Sequence, residues 1–250
     1  MQEITSVNND LVKETVKLQQ KKYRDKENKF LLEGRKCVEE AFNAGLEIET
    51  VFVLKEKSSQ YNFFADKLIL TTEAVLKKIS TTESAPEVVA IAQKKIYSVR
   101  DLKKAKKVVL LENIKDLGNL GTILRTSVAF GADAVVLYGK ECADLYNPKC
   151  VRSTVGNLWK IPVVYISNFV ELEKTFEKYD RIATLPRATH FLKNCEIGEF
   201  VVVMFGSEAD GLSDELINFS TKSVKIEMAS TVESLNLSVS CAVVLYELFI

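Results

Sequence analysis

Two α/β domains in series are what this chain predicts, the second built on a parallel sheet with helix cover. Three observations carry that prediction. Short apolar strands alternate with helical stretches along most of the sequence. A complete strand–helix–strand unit runs from Val108 to Leu137, and such a unit requires parallel pairing. Three polar, glycine-containing or small-residue loops follow strands in the second half, at Asn113–Gly121, Gly206–Gly211 and Ser230–Asn236. In open parallel sheets ligands collect beyond the carboxyl ends of the strands, so three such loops on one edge predict a pocket.

The first domain opens with helical spacing over Asn8–Gln20, where Leu11, Val12, Thr15, Val16 and Leu18 recur. The charged run KKYRDKENKF breaks that pattern and leads to a strand at Phe30–Leu32. Gly34 precedes a helix over Cys37–Ala44, stopped by Gly45 in a natural C′ position. Strands at Ile48–Leu54, Leu68–Leu70 and Val88–Ala92, with a helix at Glu73–Ile79, complete a small domain over residues 1–98. The lysine-rich stretch 94–107 reads as a linker, and the second domain as residues 106–250.

The second domain starts with the strand Val108–Leu111, a polar loop, and a helix from Asn119 through Arg125 to Phe130 that ends at Gly131. Further strands fit Ala134–Leu137, Ile161–Ile166, Arg181–Leu185, Val201–Phe205 and Val224–Met228. Helices fit Val170–Lys178 and Asp214–Phe219, the latter with Ser213 as N-cap. Ser230-x-x-Glu233 has the form of a capping box. The last stretch, up to Ile250, is apolar on nearly every face and is expected to be enclosed.

Composition excludes several classes. The 250 residues are 47% hydrophobic, enough for full cores. The apolar runs stop well short of a bilayer span, and MQEITSVNNDLVK lacks the regions of a signal peptide; a cytoplasmic protein without membrane contact is expected. Cys37, Cys142, Cys150, Cys195 and Cys241 are dispersed without CxxC spacing, which argues for free thiols and against a zinc site or any other metal. Formal net charge is zero. Lys94, Lys95, Arg100, Lys103, Lys104, Lys106 and Lys107 nonetheless form a basic stretch opposed only by Asp101, the kind of run that is commonly a solvated face. There is no P-loop, no GxGxxG and no GxSxG elbow, and His190 stands apart from any metal or catalytic pattern.

The residues that remain carry a resemblance. Asn113-x-x-Asp116-x-Gly118-Asn119-x-Gly121-x-x-x-Arg125-Thr126, then Gly206-x-Glu208-x-x-Gly211-Leu212, then Ile226-x-Met228 followed by Ser234-Leu235-Asn236-x-Ser238-Val239-Ser240 resemble, in order, the three motifs of the SpoU (TrmH) family of RNA 2′-O-ribose methyltransferases, of the knotted SPOUT class. Phe30–Val53, with Glu33-Gly34-Arg35, resembles more loosely the small substrate-binding domain that precedes the methyltransferase in many members.

The resemblance implies a trefoil-knotted methyltransferase domain with a parallel sheet, a homodimer, and S-adenosylmethionine as cofactor. It implies that Leu185, Gly206, Ser207, Ile226, Met228 and Leu235 line that cofactor. Arg125, Asn119, Glu208, Ser234 and Asn236 become the catalytic candidates, with Glu208 and Asn236 orienting Arg125 or the ribose. A guanidinium hardly deprotonates and forks well onto phosphate, so Arg125 is expected to anchor rather than act as base. Asn119 and Ser234 have helix capping as the alternative role. Arg35, Lys94, Lys95 and Arg125 are the candidate RNA contacts, with ribosomal RNA favoured over transfer RNA. Leu117 and Glu227 stand where the family usually has proline, Ser230 where it has glycine, and Pro86-Glu87-Val88 replaces a common turn in the first domain. Those departures keep open a catalytically weak or inactive RNA-binding protein on the same fold. An ordinary nucleotide-dependent oxidoreductase lacks its glycine fingerprint.

Overall fold

The computed structural model describes residues 2–250, and the chain forms two compact units. One holds the residues up to Lys95 together with Asp144–Trp159; the other holds Ile96–Ala143 and Lys160–Ile250.

The first unit runs β1 (Gln2–Ile4), α1 (Asp10–Lys17), α2 (Lys21–Glu27), β2 (Lys29–Glu33), α3 (Arg35–Asn43) and β3 (Ile48–Leu54). A 3-10 segment (Lys55–Lys67), β4 (Leu68–Thr71), α4 (Glu73–Ile79) and β5 (Val88–Gln93) follow. The five strands lie in the order β1-β4-β3-β5-β2. β1, β4 and β3 are parallel, and β5 is antiparallel to both of its neighbours. Local chemistry sets the helix starts: the Asn9 side chain accepts from the Leu11 N–H, and Thr72 from that of Val75. Gly45, at φ +71°, ends the third helix as its position predicted.

The charged run after Gln20 is itself a helix, α2, where a pattern break was expected. Its one buried residue is Arg24. The Arg24 guanidinium donates to the carbonyls of Leu18 and Gln19 at 2.9 and 2.7 Å and pairs with Asp144. A charged anchor replaces the apolar stripe that periodicity looks for.

The second unit begins with β6 (Lys107–Glu112), α5 (Leu117–Ala129) and β7 (Ala134–Tyr138). The chain next supplies α6 (Pro148–Ser153) to the first unit. It then continues as β8 (Val163–Ile166), α7 (Phe169–Phe176), β9 (Asp180–Thr184), β10 (His190–Phe191), β11 (Val201–Phe205), α8 (Asp214–Phe219), β12 (Lys222–Lys225) and α9 (Leu237–Phe249). Seven parallel strands lie in the order β10-β12-β9-β11-β6-β7-β8. Val108–Leu111 and Val201–Val203 are fully buried, as strands covered on both faces must be. Val108, Leu110, Val202 and Met204 join a core with Leu172 and Phe176 of α7 and Leu216 of α8. α5 and α9 pack on each other.

Two expectations change. The single cut near residue 106 gives way to a first unit that takes in 144–159. There the Arg152 guanidinium meets Glu33 and Thr81, the Trp159 Nε1–H donates to the Glu40 carbonyl at 3.1 Å, and Tyr146 packs on Phe30 with ring centroids 4.7 Å apart. These partners lie 71 to 119 residues away in sequence, beyond the reach of periodicity. The C-terminal helix is not enclosed either. Val239, Val243 and Tyr246, spaced along one stripe of α9, and Ile250 at its C-cap are between 39% and 79% exposed, while Cys241, Val244, Leu245, Leu248 and Phe249 are buried.

Candidate active site

The carboxyl ends of β12, β9, β11 and β6 stand side by side, with Val224 opposite Thr184, Met204 opposite Ala183 and Phe205 opposite Leu111. The three polar loops leave the sheet at this edge.

Asp116, not Asn119, caps α5: its Oδ1 accepts the Asn119 backbone N–H at 2.7 Å. The Asn119 carboxamide is thereby free for other work. Its Nδ2 donates to Glu208 Oε1 at 2.9 Å, and its Oδ1 accepts from Asn236 Nδ2 at 3.2 Å. Asn236 is the N-cap of α9, its Oδ1 accepting from the N–H groups of Ser238 and Val239 and from the Ser238 hydroxyl. That cap fixes the amide. With Oδ1 committed to the helix, Nδ2 must face Asn119, which in turn leaves Asn119 Nδ2 for a carboxylate that can only accept. Asn236, Asn119 and Glu208, one residue from each motif, thus form a single oriented chain.

Ser234 is exposed and caps nothing, and the Ser230–Glu233 capping box does not form, because no helix starts before Leu237. Arg125 is exposed, and among the described residues its guanidinium has no hydrogen bond or ion pair. Glu208 is engaged by Asn119. Arg125 lies six residues beyond Asn119, about 9 Å along the helix axis.

The second motif is a tight loop. Ser207 and Gly211 exchange two backbone hydrogen bonds of 3.1 Å, and the Ser207 hydroxyl accepts from the Asp210 N–H at 3.0 Å. A Cβ on Gly206 would fall 1.8 Å from the carbonyl carbon of Gly211. Glycine at 206 is therefore demanded by the loop's own backbone before any ligand is considered.

The cofactor candidates leave three neighbouring strands: Leu185 after β9, Gly206 and Ser207 after β11, Ile226 and Met228 after β12. Leu185, Ile226 and Met228 are half-buried and Leu235 is exposed, giving apolar walls. Within Ser230–Leu235 one backbone hydrogen bond is made among the described residues, Val232 N–H to the Ala229 carbonyl at 3.0 Å. Apolar walls beside open backbone donors and acceptors fit a purine and a thioether-like chain.

The departures from the motif pattern are accommodated. Leu117 occupies the first helical position of α5, where proline is favoured and not required. Glu227 pairs with Lys193 at 2.6 Å. Ser230 lies exposed.

Sequence reading overlooked the supports of this edge. Glu112 is buried at the end of β6 and accepts the Ser213 N–H at 2.7 Å, tying the first motif to the segment after the second. A carboxylate closing the apolar run VVLL was the legible signal. Asn113 sits at φ +47° and accepts from the Glu141 N–H at 3.2 Å. Lys115 pairs with Glu141 at 2.6 Å. The Glu141 carboxylate raises the Lys115 ammonium above its ordinary pKa, with smaller contributions from Asp210 and Glu208.

The RNA-contact candidates divide. Arg35 is exposed at the start of α3, bonded to Glu39 at 2.7 Å and to Gln60 at 2.9 Å. Lys94 is not a free cation. It pairs with Asp25 at 2.6 Å, lies 5.3 Å from the Tyr146 ring centre and has a side chain only 7% exposed. The Lys95 backbone N–H donates to the Tyr146 hydroxyl, which donates in turn to the Lys95 carbonyl. In the second unit Arg100, Lys103 and Lys104 lead into the amino end of β6, the edge opposite the motif loops. Among the described residues no His, Cys, Asp and Glu cluster could hold a metal, and no helix is long and apolar enough to cross a membrane. All five cysteines are free thiols, and burial pushes Cys37 up to about 12.

This sheet, with its oriented motif chain, defines an RNA methyltransferase of the SPOUT type. The chain belongs to the SpoU rRNA methylase family, whose model matches residues 106–246. The model of the MRM3-like substrate binding domain matches residues 9–90. An uncharacterised tRNA/rRNA methyltransferase of Synechocystis sp. is 33% identical over 98% of this chain and 92% of its own. The 23S rRNA (guanosine(2553)-2′-O)-methyltransferase of Bacillus subtilis is 30% identical over 99% of both chains. Among solved structures, the AdoMet-bound rRNA methyltransferase of Sinorhizobium meliloti superimposes with a TM-score of 0.89 at 28% identity, covering 98% of this chain and 96% of that one.

Proposed function

We propose that this protein transfers a methyl group from S-adenosylmethionine to a ribose 2′-hydroxyl of ribosomal RNA. The observation that carries the reading is the Asn236–Asn119–Glu208 chain, which joins all three motifs at the carboxyl edge of the sheet. The named activities of the Bacillus subtilis relative and the Sinorhizobium meliloti structure support it.

When bound, S-adenosylmethionine supplies a methyl group already activated by its sulfonium. The chain's own residues then have to hold the ribose in line and let its hydroxyl proton depart. Leu185, Ile226, Met228 and Leu235 wall the cofactor, and the Gly206–Ser207 turn presents backbone to it. Asn119, Glu208 and Asn236 orient the ribose; Ser234 stands two residues before Asn236 on the third motif loop. Arg125, uncommitted and exposed, anchors the adjoining phosphate. Arg35 and Lys95 in the first unit contribute to holding the RNA; Lys94 supports them through its pair with Asp25.

The working form is a homodimer. The apolar stripe of α9 beside the exposed face of α5 supports this, and it lets Arg125 of one copy serve the other. The strand order, with β11 between β9 and β6 and α9 returning onto α5, supports a trefoil knot. A ribosomal substrate is consistent with the cytoplasm as the place of reaction.

Radiolabelled methyl transfer to total RNA lacking the native modification, fractionated by size and digested to nucleosides, tests the reading. Label in a 2′-O-methylated nucleoside of ribosomal RNA is expected, with Arg125→Ala abolishing transfer while sparing cofactor binding. Absence of label with dimeric, cofactor-binding protein would overturn it.

A further inference from the structure

We infer that Phe42 and Phe63 form a stacking platform for an unpaired base of the RNA substrate, a subsite in the first unit separate from the motif loops. The inference rests on the RNA-methylation reading.

Phe42 and Phe63 are 43% and 48% exposed, with ring centroids 4.8 Å apart and planes tilted by 47°. Their inner side is occupied by more rings. Buried Phe64 lies 5.0 Å from Phe42 and 4.5 Å from Phe63, and buried Tyr61 lies 6.3 Å from Phe63. The Tyr61 hydroxyl is anchored by donating to Glu87 at 2.8 Å. The outer rings therefore stand on a fixed aromatic layer and cannot fold inward to leave water. The four members of the group are all aromatic, so what reaches solvent here is aromatic ring surface.

That chemistry selects among occupants. Anchors at protein–protein interfaces are seated in desolvated pockets, whereas every nucleobase has a π-face that stacks on a flat, exposed ring. The surroundings suit a polyanion. The 3-10 segment carries Lys55, Lys57 and Lys67 against Glu56 and Asp66, with Lys55 paired to Glu3 at 3.3 Å. On α3, Arg35 and Lys36 stand against Glu39 and Glu40, and Arg35 is paired with Glu39. Lys36, Lys57 and Lys67 have no ion-pair partner among the described residues.

The platform is also continuous with Arg35. Arg35 and Phe42 share α3, seven residues or about 10 Å apart along its axis, and both are locked to the same neighbouring segment through Gln60 and Phe63. A guanidinium that a phosphate would share with Glu39 and a ring pair for a base are thus mounted on one strip, within the reach of a dinucleotide.

The test is equilibrium binding of transcribed 23S ribosomal RNA and of poly(A) to the whole protein, for Phe63→Ala, Phe63→Leu, Phe63→Tyr and Phe42→Ala. Loss of one stacked base weakens binding by roughly 5- to 150-fold. Phe63→Ala and Phe42→Ala are expected in that range, and Phe63→Leu beside them, because leucine keeps apolar volume without a π-face. Phe63→Tyr should bind as the parent does. S-adenosylmethionine affinity and thermal midpoint should be unmoved by Phe63→Tyr and Phe63→Leu, which controls for folding. Full RNA affinity in Phe63→Leu would overturn the platform, as would altered sedimentation with unaltered RNA affinity, the result of a self-association surface. RNA binding is read without methyl transfer, so a parent protein that binds RNA but transfers no methyl refutes the enzymatic reading while leaving the platform tested.

Discussion

Gly206 lies so close to Gly211 that a side chain on the first would overlap the main chain of the second, its Cβ 1.8 Å from the carbonyl carbon. Backbone held by two 3.1 Å hydrogen bonds has no inexpensive way to withdraw. Gly206→Ala is expected to open the loop, with S-adenosylmethionine affinity reduced at least about fivefold, as overpacking costs on the order of 1–3 kcal/mol. Isothermal calorimetry checks it; unchanged affinity would contradict the loop-closure argument.

Asn119 is the middle member of the motif chain, so its loss strands a neighbour on either side. Asn119→Ala should lower kcat by about 10- to 100-fold, since a hydrogen bond to a charged group is worth about 1.5–3 kcal/mol. Asn119→Asp should be worse, because it sets a second carboxylate against Glu208 at the 2.9 Å contact. Single-turnover methyl transfer distinguishes the two, and equal rates for Asn119→Asp and the parent would remove Asn119 from the site.

Val243 and Tyr246 stand on the exposed stripe of α9. Val243→Glu or Tyr246→Glu places a carboxylate on the proposed dimer face and should yield a monomer in sedimentation equilibrium, with transfer lost. A parent protein that sediments as a monomer would refute the dimer.

Hydrogen bonds from Lys21 and then Lys94 hold the Asp25 carboxyl below its ordinary pKa. A carboxyl lowered on folding adds stability that is complete above its unfolded value, near 3.9, and is lost as pH falls through the lower folded value. Asp25→Asn should therefore be less stable at pH 7, by no more than about 1 kcal/mol because Asp25 is half exposed. The difference should close as the medium is acidified below about pH 4. Urea unfolding across that range measures it; a gap that widens in acid has the wrong sign for this pair.

Legibility followed the physical source of each signal. Val108–Leu111 and Val201–Phe205 were readable because a strand covered on both faces must be apolar throughout, and the motif spacing named Asn119, Glu208 and Asn236 before their contacts were known. α2 escaped because its anchor is a buried arginine. α6 escaped although Asn147-Pro148, an N-cap followed by proline, marked its start. β1 has three residues, too few for a period. Lys94 looked available because Asp25, 69 residues away, does not show in a local window. The α9 stripe looked like core because sequence cannot tell a surface awaiting a partner from an interior.

The excursion of residues 144–159 into the first unit bears on how this architecture is inherited. Arg24 and Glu33 keep their counter-charges, Asp144 and Arg152, on a stretch that a recombination event between residues 95 and 106 would leave behind. A substrate module grafted from another lineage by one crossover would carry two buried charges without mates. Successful exchange requires two crossovers, or coordinated change at both pairs, so the halves of this gene are constrained to travel together.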